Sequence, residues 1–576
     1  MNVNKVNHYV KLPRVSNRPF THFKIPHGLH TTMNAGKLVP MYCKEIYPNT
    51  RVKLEWRNVV RLLTPKYPTM DIANMDVFFF FVPNIEIWDK CKNFLGENDT
   101  DYWTEKKAYT VPQISVPLYE QNSLSNGSSS CRKSVGDLAD YLGVPIISTN
   151  TQQFSSSPMV SVSALPFRAY VKVWNDWFRD ENFQEPCKLT LGDITPTLYP
   201  GRLDYEGGDD YVTYAEIGAT LCPVDKYKDY FTSLLPQPQK GAPVTLPLTG
   251  TIPVIPGTGD PTRNTDKLSP VNFYTSFGTK SPNSDLFIGN LDSVGIHSNL
   301  RAVNKSAIAA YGSDVYQYLE ADLGNATAVT VEQLRLAFAT QRFLEMSALG
   351  GTRYVELISY MFGANCPDEY LHRSRFLGGK SIPINITPIT QLSGSDTESL
   401  GQVGAFSNTV GSDYAFDEKF EEHGFIIGVC CVRTQHSYSQ GLPRYFMRKN
   451  ELDYYFPCFA HLGEQPVYNK EIYVQGTVID DEIIGYQQAW DEMRHTPVRS
   501  SGYLRMGAPG ALEQWTYADK FDSLPILGKE FIEETDVNIA RTLAVTEYIH
   551  QFIVDWAFNE DVYQILPASS TPKLIG

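Results

Sequence analysis

The chain has 576 residues, with 50 basic against 64 acidic side chains and a formal net charge of −14. Hydrophobic residues make up 42% and aromatics 12%, including 34 Tyr and 30 Phe, which excludes a disordered chain and permits a large core. Its longest apolar runs, Val77 to Val82 and Phe425 to Val432, fall short of the roughly 20 residues of a bilayer-spanning helix. The first twenty residues hold no apolar stretch of the secretory kind, so folding in a cytosol is expected. Nine cysteines without a C-x-x-C pair then read as thiols.

The first 44 residues carry Lys5, Lys11, Arg14, Arg18, Lys24, Lys37 and Lys44, and no acid precedes Glu45. A basic arm, 1–44, thus leads an acidic protein. Its Pro, Asn and Ser content predicts an extended segment lying on a partner. His22, His27 and His30 come closest to ligand spacing, but no Cys or carboxylate stands near them in the sequence, so polar contacts on the arm are expected instead of a metal site.

Val52, Leu54 and Trp56 alternate with charged residues as on a half-buried strand, whereas Asp76-Val-Phe-Phe-Phe-Phe-Val reads as a strand covered on both faces. A polar loop is expected over Gln121 to Ser130. A helix is predicted over Phe167–Phe178, with Pro166 near its first turn. The aromatic cluster Trp174, Trp177 and Phe178, with Arg168 and Arg179, suits either a base-stacking platform or a packed helix face, and helical spacing favours packing.

From Gly250 to Lys305, Gly, Pro, Ser, Thr and Asn supply 29 of 56 residues, the chemistry of a long surface excursion. Phe273, Tyr274, Phe277 and Phe287 give it some core of its own. A capping box, Thr330-Val-Glu-Gln333, opens a second helix that Gly350-Gly351 stops, and a further turn or two over Arg353 to Phe362 ends at Gly363. Strands are expected through Ile382, Ile384 and Ile386, over Phe425–Thr434 and Glu471–Ile479, and around Gln551–Trp556. Tyr454, Tyr455 and Phe456 read as strand core or interface.

No standard catalytic constellation is present. Gly379-Lys380-Ser381 looks like the end of a phosphate loop, but the first glycine would fall on Ser374 and an alternating strand follows. There is no H-E-x-x-H, G-x-S-x-G or EF-hand loop. No cofactor is expected.

Phrases along nearly the whole chain resemble the major capsid proteins of microviruses, specifically the gokushovirus branch of these small single-stranded DNA bacteriophages. They include Thr31-Thr-Met-Asn-Ala-Gly36, Phe78-Phe-Phe-Phe-Val-Pro83, Ala164-Leu-Pro-Phe-Arg-Ala-Tyr170, Pro238-Gln-Lys-Gly241, Gly441-Leu-Pro-Arg444, Gly463-Glu-Gln-Pro-Val467 and Trp515-Thr-Tyr-Ala518. The wording departs from the family at Met493 to Arg499 and at Pro567 to Gly576. The resemblance implies a mainly β fold, an eight-stranded antiparallel jelly roll with long inter-strand insertions and a few helices, over 45–249 and 306–576. It implies a homo-oligomeric T=1 icosahedral shell around circular single-stranded DNA, a virion component assembled in the host bacterial cytoplasm, and no enzyme. The implied partners are the viral DNA, scaffolding and minor or pilot virion proteins, and a host cell-surface receptor.

In that family a variable insertion after the P-Q-K-G phrase forms a threefold protrusion, and 250–305 occupies its place here. Phe273, Tyr274, Phe277 and Phe287 are the candidate protrusion residues. A net negative wall would repel a polyanion, so the cations of the arm, Lys5, Lys11, Arg14, Arg18 and Lys24, are the candidate DNA contacts. The competing class is a host-surface-binding β protein or carbohydrate-active enzyme, which requires a ligand and a stable small oligomer instead of assembly.

Overall fold

The computed structural model describes residues 20–97, 109–117, 135–145, 159–193, 211–242, 244, 331–351, 353–364, 367, 372–390, 401, 403–544 and 550–569, together with the backbone of four short strands within 254–321. The chain divides into two compact units, residues 1–240 with 345–576, and residues 241–344.

Eight strands form the framework of the larger unit: β1 (Thr21–Met33), β2 (Val39–Ile46), β3 (Thr50–Leu62), β4 (Ala73–Pro83), β5 (Arg375–Pro383), β6 (Thr409–Phe420), β7 (Gly424–Thr434) and β8 (Phe552–Gln564). All pair antiparallel, in two four-stranded sheets ordered β1-β8-β3-β6 and β5-β4-β7-β2. The expected arm, 1–44, therefore supplies, from Thr21 onward, all of β1 and most of β2, one strand in each sheet.

The strands face one another because their periodicity is two. In β3, Val52, Leu54, Trp56, Val60 and Leu62 are buried, while Arg51, Glu55, Arg57 and Arg61 are exposed between them. β8 repeats the pattern with Val554, Trp556, Phe558 and Val562 inward. Rings from the two sheets meet across the gap: Tyr42 with Phe558 at 5.4 Å, Phe79 with Phe416 at 5.9 Å, and Phe81 with Phe420 at 4.6 Å between centroids. Edge-to-face and tilted pairs of this kind add about 0.5–1.5 kcal/mol each beyond their burial.

The outer face of the second sheet is covered as well. A helix over Leu165–Val173, with Pro166 in its first turn, continues as a π turn over Trp174–Phe178. Its rings cover the outward residues of β4: Phe80 lies 5.5 Å from Trp177 and Phe78 lies 5.6 Å from Phe178. Trp177 Nε1 donates to the Ser374 carbonyl at 2.9 Å, and the Arg373 guanidinium stacks 3.5 Å from the indole centroid. Trp174 is fully buried and donates to the Pro223 carbonyl at 2.8 Å. Arg168 is also buried, held by the carbonyls of Ile87 and Gly192 and lying 3.7 Å from Glu216. The aromatic cluster is thus packed core, as helical spacing favoured.

Helices over Val331–Leu349 and Tyr354–Phe362 agree with expectation, the second ending on Gly363 at φ 64°. Thr330 and the polar loop 121–130 lie outside the described residues. Three expectations need correction. The Ile382–Ile386 alternation breaks between β5 and a separate strand, Ile386–Thr390, which pairs with Val403–Ser407. Residues 471–479 are not a strand: Asn469–Ile472 is a helical turn whose Glu471 accepts from the Tyr468 N–H at 3.1 Å, and Val478–Asp481 is a 3-10 turn. Tyr454, Tyr455 and Phe456 belong to no strand and are exposed, which overturns the strand-core alternative and leaves the interface one. In residues 241–344 the backbone pairs Val254–Thr258 with Gln317–Ala321, and Asn272–Tyr274 with Lys280–Asp285.

Candidate assembly surface

A second core, including Tyr230, Phe231, Leu234, Val467, Ile472 and Phe531, organises the long excursion between β7 and β8. Three short 3-10 turns, Arg444–Phe446, Glu451–Asp453 and Pro457–Phe459, run over it and turn apolar side chains outward. Tyr445, Phe446 and Leu452 are 63%, 65% and 71% exposed, and Tyr454, Tyr455, Phe456 and Leu462 are exposed beside them. Exposed apolar groups scattered singly are ordinary, but a run of this density marks a contact surface.

These side chains are held in place by polar groups beneath and around them. Arg444 donates to the Pro466 carbonyl at 3.0 Å and to Glu471 at 3.2 Å, and Tyr230 donates to the same carboxylate at 3.1 Å. A Cβ at Gly441 would collide with the Glu471 carbonyl, so the turn into Arg444 approaches this closely only as glycine. Asp453 accepts from the N–H groups of Lys449 and Asn450, both at 2.7 Å, and these bonds hold its carboxyl below the usual range. Trp490 donates to the Phe459 carbonyl at 2.9 Å and meets Tyr455 edge-on at 5.4 Å. Arg448 pairs with Glu492 at 3.2 Å and stacks 5.5 Å from Tyr454. Side chains already ordered in this way lose less entropy on association.

The excursion is tied to the second sheet through a buried charge cluster. Just past β7, His436 contacts Asp519 through Nδ1 and Glu534 through Nε2, both at 2.9 Å. Burial alone would lower the imidazole pKa, but the two carboxylates outweigh it and raise it to about 9. Asp519 is held well below the usual carboxylate range against burial by His436, Lys226 and Asn538. With both ring nitrogens occupied, His436 is a structural cation and offers no free base. Among the described residues no group of His, Cys, Asp and Glu is arranged to hold a metal ion.

The arm histidines are separated by strand parity. His22 and His30 lie on the outer face of β1 and meet Asp561 and Asp555 of β8, each at 2.9 Å, while His27 falls on the other face at 3.5 Å from Glu560. Each thus has a carboxylate neighbour that the local sequence did not show, supplied from more than 500 positions away. Lys24 is exposed on the outer face of β1. Lys5, Lys11, Arg14, Arg18, Phe277 and Phe287 lie outside the described residues, and only the backbone of Phe273 and Tyr274 is described. Gly379-Lys380-Ser381 lies within β5, where a Cβ on Gly379 would stand 2.6 Å from the Phe78 ring.

Sequence reasoning missed His436, whose carboxylates stand 83 and 98 positions away. It named Tyr454 to Phe456 but not Tyr445, Phe446, Leu452 or Leu462; aromatic and apolar residues between Pro443 and Pro466 without strand alternation were the available signal.

A family model described as "Capsid protein (F protein)" matches residues 14–574. The capsid protein VP1 of Spiroplasma virus 4 is 36% identical over 566 residues, covering 96% of this chain and 95% of that protein. Capsid protein VP1 of Bdellovibrio phage phiMH2K is 33% identical, over 90% of this chain and 88% of its own length, and that of Chlamydia phage 1 is 32% identical, over 99% and 98%. The chain therefore belongs to the F-protein family of capsid proteins, in the company of those of gokushovirus-type microviruses.

Proposed function

We propose that this chain is the shell-forming subunit of a small phage, folded as a viral jelly roll and assembling into a T=1 icosahedral capsid around circular single-stranded DNA. The strand orders β1-β8-β3-β6 and β5-β4-β7-β2 support the fold reading, because they are those of two interlocked Greek keys. The observation that carries the assembly reading is the aromatic surface from Tyr445 to Leu462, exposed yet fixed by Arg444, Asp453 and Trp490. Its occupant is a second copy of this chain. Obligate interfaces resemble a domain core cut in half, and aromatic anchors supply most of their energy. Closed symmetry then repeats each contact around the shell.

Residues 250–305 are the host-attachment element in this reading, on the strength of their loop composition and their place after Pro238-Gln-Lys-Gly241. Lys5, Lys11, Arg14, Arg18 and Lys24 contact the genome, and scaffolding and minor virion proteins assist assembly in the host cytoplasm. Electron microscopy of the expressed protein, alone and with a scaffolding protein and single-stranded DNA, tests the proposal. Uniform icosahedral shells are expected, and monomers or small oligomers under both conditions would overturn it. Deleting 250–305 should leave shells intact and abolish adsorption to host cells, and neutralising Lys5, Lys11, Arg14 and Arg18 should lower DNA content per particle.

A further inference from the structure

The outer face of the sheet β1-β8-β3-β6 carries a charge excess that the fold does not use. Parity and register place Lys24 on β1, Arg51, Lys53, Arg57 and Arg61 on β3, and Lys419 on β6 on this face, with Asp555, Asp561, Glu55 and Asp417 as its carboxylates. Every one of those carboxylates is engaged. Asp561 and Asp555 meet His22 and His30, Glu55 meets Lys53 at 3.1 Å, and Asp417 takes a two-bond fork from Arg51 at 2.7 and 2.6 Å. Lys419 is 3.9 Å from Glu421. Lys24, Arg57 and Arg61 are left exposed with no carboxylate partner among the described residues. With six Lys and Arg side chains against four carboxylates, this face is net positive on a chain of net charge −14 and is electrostatically complementary to a polyanion.

Aromatic surfaces are interleaved with these cations. Tyr414 and Tyr563 are 46% and 40% exposed, with Lys53 at 5.3 Å from the first ring and Arg51 at 5.9 Å from the second. His22 stacks on Tyr563 at 4.4 Å and 8°. Between the charged rows the side chains are small, because Gly28 stands opposite Ala557. At one end an open cavity of about 390 Å³ is lined by His30, Asp140, Tyr141, His550, Ile553 and Asp555. Arg61 stands opposite Ile553, one of the residues that line that cavity.

We infer that this sheet face is a binding surface for single-stranded DNA, with Lys24, Arg57 and Arg61 on phosphates, Tyr414 and Tyr563 under bases, and the cavity receiving a base at the β1–β8 end. The inference rests on the capsid reading for the identity of the strand. Aromatic platforms interleaved with cations fit the bases and phosphates of a single strand, and competition by an acidic polypeptide separates this occupant from a protein partner. Binding of this kind is sequence-independent and salt-sensitive.

The test uses the full-length protein and a fluorescein-labelled oligothymidylate, with anisotropy read across a salt series. Arg57→Ala with Arg61→Ala should weaken binding about tenfold and reduce the log–log salt slope by about 1.4, at roughly 0.7 for each phosphate that is no longer neutralised. Arg57→Lys with Arg61→Lys should restore most of the affinity, and Tyr414→Ala with Tyr563→Ala should weaken the oligothymidylate more than an abasic oligomer. An unchanged slope in the alanine variant would overturn the inference, as would an equal loss from Lys449→Ala with Arg505→Ala, two exposed cations outside this sheet. Displacement of the oligomer by polyglutamate at equal charge concentration would overturn it in favour of an acidic protein partner. Microscopy separates the two proposals. Wild-type protein that never forms shells fails the capsid reading, whereas shells of the Arg57→Ala, Arg61→Ala variant with undiminished DNA fail this inference alone.

Discussion

The two sheets use the same strand geometry and differ in what lies over their outer faces. β4 and β7 are buried almost throughout, because the helix over 165–178 covers the sheet to which they belong. β3 and β8 bury every second residue and leave the rest exposed. A face that is covered must be apolar and closely packed, so its sequence is constrained by volume. A bare face is constrained only by solubility and by what it touches, which frees it to carry charge.

That difference can be broken from its covered side first. Phe80→Ala removes a ring that packs on Trp177, Phe178 and Phe376 and should cost about 3–5 kcal/mol in urea unfolding of the unassembled subunit. Next comes the charge cluster that continues the covered sheet past β7. The His436 pKa, about 9 in the folded state, lies above its ordinary value near 6.5, so its stabilising contribution is complete below about pH 6.5 and disappears as pH rises through 9. Stability should therefore fall by on the order of 2–3 kcal/mol between pH 7 and 10, and His436→Gln should flatten that part of the profile.

Smaller changes sharpen the contrast. Trp177→Phe keeps the packing but deprives the Ser374 carbonyl of its 2.9 Å donor, and a loss of about 1–2 kcal/mol is expected in the same assay. Arg57→Ala on the bare face should shift unfolding by less than about 0.5 kcal/mol, a small enough change to qualify it for the binding test as well. A large loss there would mean that the face is covered after all.

Covered and bare strands were distinguishable in the sequence because Val-Phe-Phe-Phe-Phe-Val has no polar break and Val52, Leu54 and Trp56 have one at every second position. Helix 165–178 was legible for a similar reason, with a proline at its start and aromatics at helical spacing. Residues 471–479 misled because Ile472, Val474 and Val478 mimic alternation; the Glu471 carboxylate instead closes a turn on Tyr468, and Gly476 sits at φ 74°. What stayed hidden depends on distant pairing. Nothing near His30 announces Asp555, and nothing near His436 announces Asp519 or Glu534, since antiparallel register and loop packing bring these groups together only after folding. The outer face of β3 showed its charges plainly, yet that Arg51 forks onto Asp417 while Arg57 and Arg61 lack a carboxylate among the described residues could be seen only once β8 and β6 were laid beside it.

β8 lies between β1 and β3, joining strands near the start of the sequence to one that follows them by some 500 residues. A ribosome that stalls or drops its product before Phe552 leaves β1 and β3 without a common neighbour and the inner faces of both sheets open. Closure of so non-local a topology is also slow. An incomplete chain therefore cannot complete this sheet, and the pairing of the two sheets waits on the last strand to be made.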